Sequence, residues 1–268
     1  MLLRVAVLSI ALVVPLSAQT PVPQTAPPPV PHKPSAQGVK PAADLPDARG
    51  LIDKYIKAIG GRDAILSHKS EHAQGTFSIA GSGMSGTIEM YGAADPNRVL
   101  LKVSVPGIGD IQNGFDGSHG WSINPATGPM LQVGRELDQA KYDSDFYSEL
   151  RDPKVFPVVK TIEKADFEGR PCYKVSLERV DGVNDFDFYD ASTGLRAGYL
   201  NKRETPMGEV ESTSVESDYK KFGNLLQPTT LVQRAAGVEQ KITLESLDYD
   251  KVDASVFALP PEIQALIK

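Results

Sequence analysis

The spacing of apolar residues changes period along the chain. Leu51, Ile52, Tyr55, Ile56 and Ile59 recur every 3.6 residues and share one helical face. Pro46-Asp47 opens this predicted helix and Gly60-Gly61 stops it. Arg62–Ser67 predicts a second short helical turn. From about Ser70 the period becomes two. Phe77 and Ile79 point one way, Thr76 and Ser78 the other. Ile88 and Met90 continue the alternation beyond the Gly81–Gly86 loop, and Val99, Leu101, Val103 and Val105 carry it past a turn at Ala93–Asn97.

The stretch Gly114–Gly128 sits in the middle of this meander. Asp116-Gly117 and His119-Gly120 are turn dipeptides, because glycine accepts positive φ and aspartate bonds its own backbone. Trp121, the only tryptophan, then starts a short strand that stops at Pro125. Alternation lapses over Arg135–Leu150, where Leu137, Ala140, Phe146, Tyr147 and Leu150 predict a helical segment lying over the sheet. Strands resume at Val158–Phe167 and Cys172–Arg179, pass through Phe186 and Phe188 to the Asp190–Gly194 hairpin, and continue in hairpins to Leu247. One helical turn is predicted at Asp253–Phe257. The pattern predicts an α+β fold, mainly antiparallel β: a curved, incomplete β-barrel covered by one or two helices. A sheet curled around a helix leaves an apolar concavity suited to a hydrophobic ligand.

The ends add the compartment. Met1–Ala18 has a basic Arg4, an apolar run over Val5–Leu16 and small residues at Ser17-Ala18, the pattern of a cleaved secretory signal. No cysteine follows it that would carry a lipid. An uncleaved membrane anchor is the alternative. Residues 19–45 hold Pro21, Pro23, Pro27, Pro28, Pro29, Pro31, Pro34 and Pro41 among small and polar residues, a linker composition that cannot bury a core. Residues 46–268 are then one domain. Its single cysteine, Cys172, leaves an exported domain without an internal disulfide, so packing must hold it. A net charge of −6 with scattered basic residues argues against nucleic acid and against a strongly anionic membrane surface.

The ordered pieces resemble the LolA-type periplasmic carriers, the outer-membrane lipoprotein-sorting proteins. They are the leading helix, a Gly-containing hairpin, Asp95-Pro96-Asn97 and its following strand, Phe115-Asp116-Gly117 with Trp121, Asn124-Pro125, the Asp190–Leu195 hairpin and the ending Val252–Pro261. The resemblance implies a LolA/LolB-like half-barrel covered by helices, with a cavity that receives acyl chains. It also implies transient contact with envelope membrane proteins. Carriers of the family typically place Arg immediately before the Pro of the first of these turns. Here Asp95 takes that place and Arg98 lies two residues beyond the Pro.

Other motifs suggest chemistry. His68-Lys69-Ser70-Glu71-His72 spells an inverted zinc-peptidase motif, with Glu149 downstream as a third ligand. Strand alternation after His72 argues against the helix such a site requires. Gly81–Gly86 matches G-x-G-x-x-G but leads into a β pattern, whereas a dinucleotide site needs a helix there. Asp181, Asp185, Asp187 and Asp190 suggest calcium. Alternation with Phe186 and Phe188 instead predicts that Asp185 and Asp187 form an exposed strand face. His119 reads as a turn residue.

The expected function is therefore an exported, periplasmic or secreted, non-enzymatic carrier or binding protein for lipid, lipoprotein acyl chains or another hydrophobic ligand. No cofactor, metal or nucleic acid is expected, and the chain is expected to be a monomer. The expected cavity wall is Phe77, Ile88, Met90, Leu101, Val103, Trp121, Phe146, Phe186 and Phe188. The alternatives are an envelope interaction module with a filled barrel and the zinc peptidase. The linker composition generates a first prediction. Removing residues 19–45 leaves the melting temperature within a few degrees, and a large drop in calorimetry would show that they pack on the domain.

Overall fold

Two helices open the chain, α1 (Ala48–Ala58) and α2 (Arg62–Ser67). The Asp47 carboxylate caps α1 by accepting from Gly50 N at 2.8 Å, and the predicted stripe buries Leu51, Ile52, Tyr55 and Ile56. A meander follows: β1 (Ser70–Ile79), β2 (Ser85–Ala93), β3 (Arg98–Val105), β4 (Gly109–Phe115), β5 (Gly120–Asn124) and β6 (Gly128–Gln132). Next come α3 (Arg135–Asp143) and a 3₁₀ turn at Ser148–Leu150. The second run is β7 (Val158–Phe167), β8 (Arg170–Glu178), β9 (Asn184–Asp190), β10 (Arg196–Thr205), β11 (Gly208–Ser217), the small hairpin β12 (Lys220–Phe222) and β13 (Leu225–Gln227), β14 (Thr230–Ala235) and β15 (Val238–Tyr249). A 3₁₀ turn at Ala254–Phe257 and α4 (Pro261–Gln264) end the fold. This computed structural model describes residues 45–205 and 208–267, with only the backbone of 203–205. The expected signal at residues 1–18 and all of the expected linker but Leu45 lie outside the described residues.

Thirteen strands form one antiparallel sheet in the order β6-β5-β4-β3-β2-β1-β15-β14-β11-β10-β9-β8-β7. The last long strand pairs with the first and joins the two meanders, with Phe77 opposite Ile242 and Ile242 opposite Leu231. The sheet stays open, with β6 and β7 at its edges, so the barrel is incomplete. One face, called inner here, carries α1 and α3. The other is partly covered by the C-terminal turns, where Trp121, Leu100 and Ala93 pack on Phe257 and Ile263.

The turn between β4 and β5 is built as its residues predict. Asp116 Oδ1 accepts from Ser118 N and His119 N, each at 2.7 Å. Burial alone would raise this carboxyl, but those backbone donors, with His119 beside it, hold it below its ordinary value. Gly117 has φ +104°, and a Cβ there would lie 3.2 Å from Pro96 Cγ. Gly117→Val therefore lowers stability by about 1–3 kcal/mol. Chemical denaturation checks this, and wild-type stability would show that the backbone tolerates a side chain there.

Candidate functional site

Strand register assembles the inner apolar wall. Ile88 lies opposite Val103 and Val103 opposite Ile111; Met90 faces Leu101, and Val99 faces Phe115. Phe77, Leu231, Ile242 and Leu244 extend the wall across β1, β14 and β15. Packing is close, since Met90, Leu101 and Val103 have no accessible surface. Leu137 and Ala140 of α3 pack on the wall, yet no residue of α3 is buried. The two helices on this face thus differ. α1 is anchored by five buried residues, Ala48, Leu51, Ile52, Tyr55 and Ile56, whereas α3 rests on the wall through partly exposed side chains.

A buried charge cluster lies on the same face beside α1. Arg196 on β10 donates from Nη1 and Nη2 to Glu149 at 2.7 and 2.9 Å, and from Nε and Nη2 to Glu216 at 2.9 and 2.7 Å. The Tyr55 hydroxyl donates to Glu149 Oε2 at 2.8 Å, and the Tyr219 hydroxyl donates to Glu216 Oε2 at 3.0 Å. Arg151 donates from Nε to Asp187 Oδ2 at 2.7 Å, and Tyr189 donates to the same oxygen at 2.9 Å. Burial by itself would lower the pKa of Arg196, but Glu149 and Glu216 hold its guanidinium well above its ordinary value. Burial likewise pushes the hydroxyls of Tyr55, Tyr189 and Tyr219 far up, so they remain donors. The cluster ties α1 and the segment after α3 to β9, β10 and β11. Arg49 of α1 adds a donor bond to Arg151 O at 2.7 Å and another to Phe156 O.

No protein-family model and no curated protein sequence matches this chain. Solved structures do match by shape. A DUF1329 family protein from Desulfovibrio piger aligns over 80% of this chain and 98% of its own, at TM-score 0.55 and 13% identity. A LolA superfamily protein from Nitrosomonas europaea aligns over 80% and 99%, at 0.52 and 12%. A domain from Vibrio parahaemolyticus named for outer-membrane lipoprotein sorting aligns over 78% and 95%, at 0.50 and 11%. The chain has a LolA-like fold.

Within the LolA-like domain the nine expected wall residues separate. Phe77, Ile88, Met90, Leu101 and Val103 come together on the inner wall. Phe146 lies in the cluster built around α1. Trp121 packs on the outer face with the C-terminal turns. Phe188 stacks on Phe167 with centroids 4.0 Å apart, and Phe186 packs beside them, in a cluster with Cys172 and Ala197. One expectation is corrected. Asp185 and Asp187 are 3% and 0% exposed, so the β9 face expected in solvent is the interior one. Alternation defines two faces of a strand, and here the carboxylates turn inward because Tyr142 and Arg151 meet them there.

The histidine motif adopts no helix. β1 sends Glu71 inward at 1% exposure and His72 outward, where Nε2 meets Glu89 Oε1 at 2.9 Å. His68 precedes the strand and contacts Asp250 at 2.7 Å and Asn224 at 2.6 Å. Glu149, the third member of that pattern, belongs to the arginine cluster. Gly81–Gly86 is a hairpin turn leading into β2. Asp190 caps its own hairpin through Ser192 N and Thr193 N. Arg98 stacks on Phe257 at 4.9 Å, and Asp95 approaches exposed Lys69 at 3.9 Å. Among the described residues, no three His, Cys, Asp or Glu side chains are grouped to hold a metal. A hollow of about 400 Å³ opens elsewhere, among Gln74, Glu89, Lys102, Asp110 and Gln112.

The arginine cluster was not legible in advance, because its members lie tens of residues apart. Its energetics are testable. Arg196→Met leaves Glu149 and Glu216 buried without their shared cation and costs about 3–5 kcal/mol. Arg98→Met on the partly open Phe257 contact costs about 1 kcal/mol or less. Urea unfolding of both variants checks the contrast, and equal losses would show that the cluster is solvated.

Proposed function

We propose that this LolA-like domain is an exported carrier for a hydrophobic ligand, with the inner apolar wall as the seat and α3 as the displaceable cover. The observation that carries the reading is the unequal anchoring of the two inner helices. α1 is bolted down by buried side chains and the arginine cluster, while α3 covers the wall without a single buried residue. Displacing α3 exposes the part of the wall on which Leu137 and Ala140 pack. Each large side chain re-covered by an acyl chain returns about 1.5–3 kcal/mol. Carriage of this kind needs no covalent chemistry. The ligand class is lipid, lipoprotein acyl chains or another chain-like hydrophobe, and the leader at Met1–Ala18 directs the domain to the periplasm or beyond. The matching Vibrio domain, named for outer-membrane lipoprotein sorting, supports the reading through its fold.

A second reading, an envelope interaction module with a filled interior, is favoured by one observation: Met90, Leu101 and Val103 are fully packed. The two readings predict different binding. Under the carrier reading, a neutral fluorescent hydrophobe such as N-phenyl-1-naphthylamine binds saturably. Leu101→Asp abolishes binding, because an unpaired carboxylate in an apolar wall is costly to desolvate, and circular dichroism separates that loss from loss of the fold. High salt leaves binding unchanged, since apolar burial is not screened. An organic extract of the purified protein contains acyl chains near one equivalent. An extract free of lipid together with no saturable probe binding would establish the filled module.

A further inference from the structure

The inner wall changes character one row beyond its apolar part. Phe77, Ile242 and Leu231 lie opposite one another across β1, β15 and β14. Two residues along, the register aligns Gln240 of β15 with Gln233 of β14, Gln233 with Ser214 of β11, and Ser214 with Tyr199 of β10. Exposures are 7% for Gln240, 3% for Gln233, 0% for Ser214 and 1% for Tyr199, so an uncharged polar row is buried beside the apolar wall. At about 3.4 Å per residue the two rows are roughly 7 Å apart.

This row is incompletely satisfied. Gln233 Nε2 donates to Ser212 Oγ at 3.3 Å, and Ser212 Oγ donates to Asn201 Oδ1 at 2.8 Å. Gln240 Nε2 and Ser214 Oγ are buried with no hydrogen-bond partner among the described residues. Leaving such a group unpaired is a standing cost that an apolar residue of similar size would avoid. Nothing in the packing of a purely acyl-binding wall calls for two glutamines and a serine there. α3 contacts β10, a strand of the polar row, as well as β4, β5 and β6.

We propose that Gln240, Gln233 and Ser214 form a head-group subsite for an amphiphile whose head is uncharged and bears hydroxyl or amide groups, and whose tail lies on the apolar wall. The inference rests on the carrier reading and names its ligand class. Amide and hydroxyl side chains offer both donors and acceptors, which matches hydroxyl or amide heads. An ionised head would enter a buried site with no counter-charge to spare. Asp187, the next member of the row after Tyr199, is already held by Arg151 at 2.7 Å.

The test uses the full chain and three lipids of one tail length, each displacing N-phenyl-1-naphthylamine: monoolein, methyl oleate and oleate. Monoolein is expected to bind about tenfold tighter than methyl oleate, the worth of one or two buried hydrogen bonds. The double variant Gln233→Leu with Gln240→Leu is expected to abolish that preference and leave methyl oleate binding intact. Ser214→Ala supplies the same comparison, with a smaller loss, where the double variant fails to fold. Gln240→Leu alone is expected to keep or raise the melting temperature, which a merely structural glutamine would not do. Equal binding of monoolein and methyl oleate, a preference that survives the substitutions, or tighter binding of oleate would each overturn the head-group assignment while the carrier reading stands. Displacement of the probe by none of the three lipids would overturn both.

Discussion

A guanidinium buried between two carboxylates sets the frame of this domain. Arg196 is 2% exposed and is held by Glu149 from the segment after α3 and by Glu216 from β11. Removing these charges from water is costly, and the cost is offset only where every partner is in place. Tyr55 from α1 and Tyr219 complete the set by donating to the two carboxylates. The arrangement therefore admits one placement of α1 and one placement of the Ser148–Leu150 turn. A buried ion cluster contributes specificity of this kind more readily than net stability.

Anchoring one helix so firmly leaves the other free to differ. α3 connects the edge strand β6 to the pinned turn and buries none of its own residues. Leu137 and Ala140 lie on the apolar wall, and Tyr142 reaches Asp185 at 2.8 Å. Its C-terminal side is therefore tethered near the cluster, while the rest of the helix rests on a surface that a hydrocarbon chain can also cover. The inner face holds an apolar wall that meets the charged cluster where Leu231 of β14 lies opposite Glu216 of β11, and a neutral polar row two residues along the same strands.

Much of the architecture was legible in the residues alone. Period-two alternation marks strands because pleat geometry is local, and the 3.6-residue stripe of α1, with Asp47 before it and two glycines after it, marks a helix for the same reason. The Asp116-Gly117 turn followed from two side-chain properties, a carboxylate that bonds the next amides and the absence of a Cβ. The ordered pieces were enough to expect a LolA-like fold, and the matching solved structures bear that out.

Only the tertiary structure decided which face of each strand is interior. In Asp185-Phe186-Asp187-Phe188-Tyr189 either set can face inward on local grounds, and hydrophobicity favours the phenylalanines. The aspartates won because Arg151 and Tyr142, from segments more than thirty residues away, meet them on that side. Trp121 is interior in the plain sense of being buried, yet it packs outside the sheet because the chain's last turns return to cover it. Alternation specifies two faces and their spacing. Which face becomes core is fixed by partners distant in sequence, and that information exists only once the strands are paired and the helices laid across them.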